Sequence, residues 1–571
     1  MKKQDNIKNN TYTAEYFPLK DQAISMDERK LLEETKTTKK NVGVCFSGGG
    51  SRALSAAMGQ MRGLNHLGLL DQTFFISAVS GGAWASTLYT YLPAAITDED
   101  FLGTVVEDPH QLWWLPLDHK AQPTNLNYLT PNNLGNVPTR LGFLSDLSQL
   151  WNLKEKYGYP MNELWVRFIG KVIFEPFGLS AVYENPSDPA TYGKPTKFYS
   201  LYEWYVKKGI IKRNKKLTVN DFYLVERNRP FLVVNTSMFK DGKPGSELLP
   251  VESTAVGAGI RQSFPNAGPQ GQDIGGGLVE PFAFGSTNQK KLEQREVQVD
   301  VNQRFSLSDI AGLSSAAFAE IIESDHPEFD GLLPKYNYWP ITNLGEAKNA
   351  AVPYNFADGG NLENTGIMAQ LARNVPTIIC FINCETEMKQ VTGPDNKPVV
   401  VVDGQIPPLF GYAPIGDGNH YKKYADGGID PKYKPFNQNR VFGYHEFDKL
   451  LTKLWEAKQS SGPVMYLQKD LEVIPNPKFN VPKNKVQVLW VYNSKIEKWW
   501  KKLDPLLRLA LDADFLQFGN FPHYDTVLQL KLSAVQVNLL AQMSCWNIIQ
   551  NEYKIPDADK TSAELFKSLY A

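Results

Sequence analysis

Three short stretches of this sequence carry residues that could do chemistry together. The first is Ser47-Gly48-Gly49-Gly50-Ser51-Arg52. Three glycines let a backbone turn through positive φ and leave N–H groups bare at a helix N-terminus, which makes a cradle for a phosphate or a developing oxyanion. A tight turn between strand and helix with no ligand would use the same residues. The second is Ala78-Val79-Ser80-Gly81-Gly82, an apolar run ending in a serine flanked by small residues. That pattern suits a nucleophile elbow, where a sharp turn pushes the hydroxyl out at the head of a sheet. The plain alternative is a serine N-cap on an ordinary turn. The third is Asn355-Phe356-Ala357-Asp358-Gly359-Gly360, where Asp358 follows a short apolar segment and could accept the Ser80 proton. A second Ala-Asp-Gly-Gly, at 425–428, lies in a Tyr/Lys/Pro-rich loop with no flanking strand, so Asp426 reads as a decoy.

Nucleotide chemistry fits poorly. A P-loop needs a Gly-Lys-Ser/Thr ending, and this loop has no lysine. A dinucleotide fingerprint needs an acid after the next strand, and Asp71 falls before it.

These residues need a scaffold. The run NVGVCF at 41–46 is short and continuously apolar, as a strand buried on both faces would be. After the glycines, Leu54, Ala57, Met58, Met61 and Leu64 recur at helical spacing. FFISAV, ending at Val79, is a second buried strand, and Trp84, Leu88 and Tyr91 mark a second helix. This alternation predicts an α/β fold, a three-layer α/β/α arrangement with a mostly parallel central sheet. Both glycine turns would then open on one edge of the sheet, nucleophile beside oxyanion donors. Residues 1–38 read as a polar, partly mobile tail, and residues 39–571 as one body with a cap- or lid-like insertion at about 100–228. Buried strands resume at RPFLVVNTSMF (229–239) and VPTIICFIN (375–383).

Composition sets outer limits. In 571 residues, 60 Lys+Arg face 61 Asp+Glu, which excludes a chain-wide basic field for nucleic acid. A hydrophobic fraction of 42% supports a real core. The start has no apolar signal-peptide core, and no apolar run is long enough to span a bilayer. Cys45, Cys380, Cys384 and Cys545 read as buried reduced thiols rather than metal ligands, so a soluble, cytoplasmic protein without a metal is expected.

The set SGGGSRAL, AVSGGAW and ADGG resembles the catalytic domain of the cytosolic phospholipases A2 and lysophospholipases, within the patatin-like acyl hydrolases. The resemblance is close over 41–92 and looser later, in LLPVESTAVGAG, GGGLVEPFAFGS, SLSDIAGLSSAAF and FPHYDT. It implies a phospholipase or lysophospholipase with a Ser–Asp dyad and no cofactor. Ser80 would be the nucleophile and Asp358 the base, with Gly48, Gly49 and Gly50 as oxyanion donors and Arg52 holding the substrate phosphate. Asp is a weak base at its reference pKa of about 3.9, so the scheme requires Asp358 to be desolvated. Two features depart from the family: Ala78 stands where glycine is usual, and no lipid-binding C2 domain precedes the block, so calcium-driven docking is not expected.

Two rival readings remain at this level. A Ser–His–Asp esterase would use His523, in NFPHYD, and a binding protein would use the same fold without catalysis. Membrane contact would fall on Trp113, Trp114, Leu115 and Leu117, on Trp499 and Trp500 between lysines, or on the basic run Lys207, Lys208, Lys212, Arg213, Lys215 and Lys216. Core aromatics and a solvated charged face are the alternative readings of those residues.

Overall fold

The computed structural model describes residues 10–20, 23–25, 28–33, 39–115, 123–142, 147–181, 196–346, 349–416, 418–513, 520–526 and 530–571. Its core is built from the two expected strand–turn–helix units. Strand β1 (Asn10–Lys20) comes first, then β2 (Lys40–Phe46), helix α1 (Gly50–His66), β3 (Thr73–Val79) and helix α2 (Ser80–Thr90). Further along come β4 (Phe231–Phe239), β5 (Leu248–Thr254), β6 (Ala258–Phe264), β7 (Ile274–Val279), β8 (Thr287–Lys291) and β9 (Glu296–Val301). Helices α3 (Leu307–Ser314) and α4 (Ala317–Asp325) follow, then β10 (Val352–Ala357), α5 (Ile367–Leu371) and β11 (Thr377–Ile382). The last sheet strands are β12 (Met465–Val473) and β13 (Asn484–Tyr492).

The fold is α/β with one large mixed sheet, ordered β8-β9-β1-β7-β6-β5-β4-β3-β2-β11-β13-β12. The centre is parallel: β4, β3, β2, β11 and β13 all run the same way. Antiparallel strands extend it on both sides. The parallel part is buried on both faces, which is why its strands are continuously apolar rather than alternating. Side chains alternate between faces along a strand. On one face Gly43 leaves room for Gln370 of α5, and on the other Phe46 stacks on Phe381, which stacks on Phe566 of the C-terminal helix α6 (Ser562–Ser568).

The reading of residues 1–38 as a tail fails over residues 10–20. There Tyr12, Ala14 and Tyr16 alternate with polar residues and are buried, and β1 pairs with β7 and β9 inside the sheet. The period of two in TYTAEY is a strand signal that the polar composition hides.

One feature of the topology positions the site. Strand β4 pairs in parallel with β3 up to Val79↔Asn235. Along the same edge it then pairs antiparallel with β10, at Ala357↔Ser237. Strands β3 and β10 therefore meet head to head on one edge of β4. The residue after each, Ser80 and Asp358, lies at the meeting point. The segment 100–228 is the connection from α2 to β4, and its Trp165 packs on Phe318 of α4 while donating to Gly312 O at 3.0 Å.

Candidate active site

Ser80 opens α2 directly from β3 with φ at 49°, a left-handed value for a residue with a side chain. Such a conformation costs about 1–3 kcal/mol and persists only where the surroundings enforce it. They do so here. A side chain at Gly81 would collide with Gly50 O at 2.0 Å, so the two turns nest backbone against backbone. The Ser80 N–H donates to Ser314 Oγ at 2.9 Å, and Ser314 Oγ donates to Asn235 O at 2.6 Å. Ala78, fully buried, is accommodated in β3 despite its methyl group.

Asp358 is 3% exposed. Its Oδ1 accepts the Gly360 N–H at 2.6 Å and its Oδ2 the Ala317 N–H at 3.4 Å. The Ser80 side chain lies near enough to the carboxylate to favour its ionised form. Burial outweighs these donors and pushes the carboxyl up to about 7, with Glu320 adding to the rise. A carboxylate held there is a far better proton acceptor near neutral pH than an exposed one.

The junction between α3 and α4 thus touches both partners, through Ser314 on Ser80 and the Ala317 N–H on Asp358. Sequence reasoning missed both, along with Asn235, because a serine or alanine in a helix carries no chemical signature by itself. Ser314→Ala would leave the Ser80 N–H unsatisfied, at a cost of about 1–3 kcal/mol. We expect a roughly tenfold or greater slowing of fluorophosphonate labelling at Ser80, with restoration by Ser314→Thr. Equal labelling rates in Ser314→Ala and parent would show that the contact does not set the elbow.

The glycine loop needs two corrections. Gly49 has φ 134°, which only glycine adopts readily. The N–H groups of Gly49 and Gly50 have no acceptor among the described residues and remain available to an oxyanion. That of Gly48 does not, because it donates to Asn364 O at 3.1 Å. Arg52 is 4% exposed, and its guanidinium is committed to protein acceptors. It donates to Asn383 O at 3.2 Å, to Tyr524 O and to Thr526 Oγ1 at 3.4 Å, with Glu385 at 3.7 Å. In this geometry it clamps two loops against the glycine turn rather than offering free charge to a phosphate. Thr526 Oγ1 in turn donates to Gly49 O at 2.7 Å.

Other candidates fall outside the site. His523 is buried with Nδ1 3.1 Å from Cys384 O, and its Nε2 has no partner among the described residues. Burial pushes its pKa down to about 4, so it is neutral at physiological pH. Asp426 sits in an exposed turn. The four cysteines are free and buried. Among the described residues no His/Cys/Asp/Glu cluster could hold a metal ion, and no helix is long and apolar enough to cross a membrane.

No family model matches the chain. Human "Cytosolic phospholipase A2 zeta" is 53% identical over 49 residues, covering 8% of this chain and 6% of the human protein. Human "Cytosolic phospholipase A2 beta" is 32% identical over 128 residues, covering 20% and 14%. This chain resembles the cytosolic phospholipases A2. The matches span well under two thirds of those relatives' lengths. Among solved structures, human GIVD cytosolic phospholipase A2 aligns with 98% of this chain and 66% of its own, at 10% identity and a TM-score of 0.47. The same human enzyme in complex with Methyl gamma-Linolenyl Fluorophosphonate aligns over 95% and 62%, at 13% identity and a TM-score of 0.40.

Proposed function

We propose that this protein is a serine acyl hydrolase, a phospholipase or lysophospholipase that cleaves the fatty acyl ester of glycerophospholipids through a Ser80–Asp358 dyad. The observation that carries this reading is a strained serine in reach of a buried carboxylate of raised pKa, beside a glycine turn with free N–H groups. Ser80 Oγ attacks the ester carbonyl carbon and its proton passes to Asp358. The Gly49 and Gly50 N–H groups hold the tetrahedral oxyanion, an effect of about 3–4 kcal/mol for a donor in comparable sites. Collapse breaks the ester C–O bond, and the leaving alcohol takes the proton from Asp358. Water, deprotonated by Asp358, then attacks the acyl-Ser80 ester and releases the fatty acid. No step needs a cofactor. Mass spectrometry of products from a panel of phospholipids and lysophospholipids tests it. Fatty acid release that survives unchanged in Ser80→Ala protein would overturn the dyad.

The histidine alternative gains nothing from the geometry, since the His523 Nδ1 lies on Cys384 O. His523→Gln is expected to keep kcat for ester hydrolysis within about threefold of the parent, since a buried residue that takes no part in the proton transfer can cost stability without slowing the folded protein's chemistry. Near-complete loss with the fold intact would restore a triad.

A phospholipid substrate sits in a bilayer, so we propose a cytoplasmic protein with peripheral membrane contact, the insertion at 100–228 acting as the cap. The tryptophans at 499 and 500 are 1% and 6% exposed and belong to the core, so they are not the contact. Arg213 of the basic run is held by Glu280 at 2.5 Å. Trp113 and Trp114 are half-buried, Leu115 is 40% exposed, and Leu117 lies outside the described residues. Among the described residues the strongest apolar exposure is Leu506 and Leu509, at 66% and 62%, on the helix Pro505–Asp512. Their i, i+3 spacing puts both on one face. A Leu506→Ser/Leu509→Ser variant should bind anionic vesicles several-fold more weakly in flotation, by about 1–2 kcal/mol of lost apolar burial. Unchanged flotation would remove this helix from the contact surface.

A further inference from the structure

A second polar site lies apart from the dyad, in a groove whose wall contains none of the dyad or glycine-loop residues. A surface groove of about 470 Å³ is lined by Gln262, Gln438, Arg440, Asn476 and Lys478, with no carboxylate in its wall. Gln262 and Lys478 also line a separate inner cavity of about 30 Å³. That space holds roughly one or two water-sized atoms. The inner wall includes Asn235, Glu252, Arg261, Gly359 and Glu363.

Two cations of the outer groove, Lys478 and Arg440, are short of counter-charge. Lys478 is 7% exposed, and its one acid, Glu247 at 3.4 Å, is shared with Lys240 at 3.3 Å. Arg440 has no carboxylate partner among the described residues; its Nε donates to Phe442 O at 3.3 Å and its guanidinium lies 3.7 Å from the Tyr444 ring centre. Arg261 is 7% exposed, and its Nε has no hydrogen-bond partner among the described residues. Its nearest acid, Glu252 at 3.6 Å, is shared with Arg373, which Glu28 also holds at 2.7 and 2.9 Å, so this inner cluster is balanced in charge and the uncompensated cations are those of the outer groove. Glu363, whose carboxyl burial holds above its usual range, accepts from the Thr365 N–H at 2.7 Å. Cations short of counter-charge, beside amide donors and an open groove, are the makings of an anion site.

We infer that this groove binds a phosphate ester, with the phosphate between Lys478 and Arg440. The site is separate from the dyad, and it is the inner cavity that abuts the dyad, because Gly359 follows Asp358 and Asn235 O accepts from Ser314. The inference takes the dyad reading as its setting, and its test does not depend on it.

The test uses the full chain and calorimetric titration with inorganic phosphate and glycerol 3-phosphate, with glycerol as the neutral control. Flotation with phosphatidylcholine vesicles, with and without phosphatidic acid, separates a lipid headgroup from a free phosphate source. We expect saturable binding of phosphate-bearing probes, weakened roughly tenfold or more by Lys478→Gln/Arg440→Gln. The same binding is expected in Ser80→Ala protein, whose dyad is disabled. Arg440→Gln alone, at a half-buried position, keeps the test usable if the double variant does not fold. Binding only to phosphatidic acid vesicles, lost in Arg440→Gln, supports the site with a lipid source. No saturable binding of any probe, equal binding in the variants, or loss of binding in Ser80→Ala would overturn the proposal.

Discussion

Ser80→Ala protein is expected to fold normally and to lose ester hydrolysis by about 10⁴-fold or more, the scale seen when a nucleophile that acts with its partners is removed. The fold should survive because the elbow is held from outside the side chain. The Ser80 N–H still reaches Ser314, and Gly81 still nests on Gly50. The lost hydroxyl removes only the reacting oxygen and one donor to Asp358. Two measurements check this: fatty acid release under saturating lipid, and fluorophosphonate labelling followed by peptide mapping. Residual activity within tenfold of the parent, or an adduct on another serine, would place the nucleophile elsewhere.

Asp358→Asn should cost about 10³–10⁴ in kcat, since an amide of the same shape cannot take the Ser80 proton. The parent protein is expected to carry a further signature. With the carboxyl raised to about 7, kcat/KM should climb about tenfold per pH unit below that point and level off above it. Stability moves the other way. The folded state holds this proton more tightly than the unfolded chain, whose aspartate titrates near 3.8. The group therefore lowers stability progressively as pH rises from about 4 to about 7, and no further above. The asparagine variant lacks that loss. Its Tm relative to the parent should thus increase across this window and stay flat on either side. A pH–rate profile with no limb near 7, or a Tm difference independent of pH, would mean that Asp358 is not the buried base.

The local units around the site were legible in the chain. Strand, glycine turn, helix, strand, elbow and helix at 41–92 all form as their residue types require. The run of small residues about Ser80 is explained by one contact, Gly81 on Gly50 O. Composition misled elsewhere. Polar residues hid the alternating Tyr12, Ala14 and Tyr16 of an internal strand. The lysines about Trp499 and Trp500 suggested an interface, yet both rings are core, and the Trp500 indole N–H donates to Asp512 Oδ1 at 3.1 Å. Amphipathic side chains at a core boundary and at a lipid boundary have the same composition, and only packing distinguishes them.

Adjacent residues dictate a turn, because φ, the absence of a Cβ and the hydroxyl of a serine act over one or two peptide units. The sharp serine turn and the glycine turn could therefore be read from the chain. Pairing across the fold depends on which distant strands share an edge, and no short window contains that. Asp358 reaches Ser80 only because β10 meets β3 end to end on β4. The same long-range packing commits the Gly48 N–H to Asn364 and Arg52 to Asn383 and Tyr524. It also places Ser314 under Ser80 from 234 residues away. The residue types with reactive groups were visible in sequence, whereas their free valences and their pKa values were set by burial and by partners that the tertiary structure brings together.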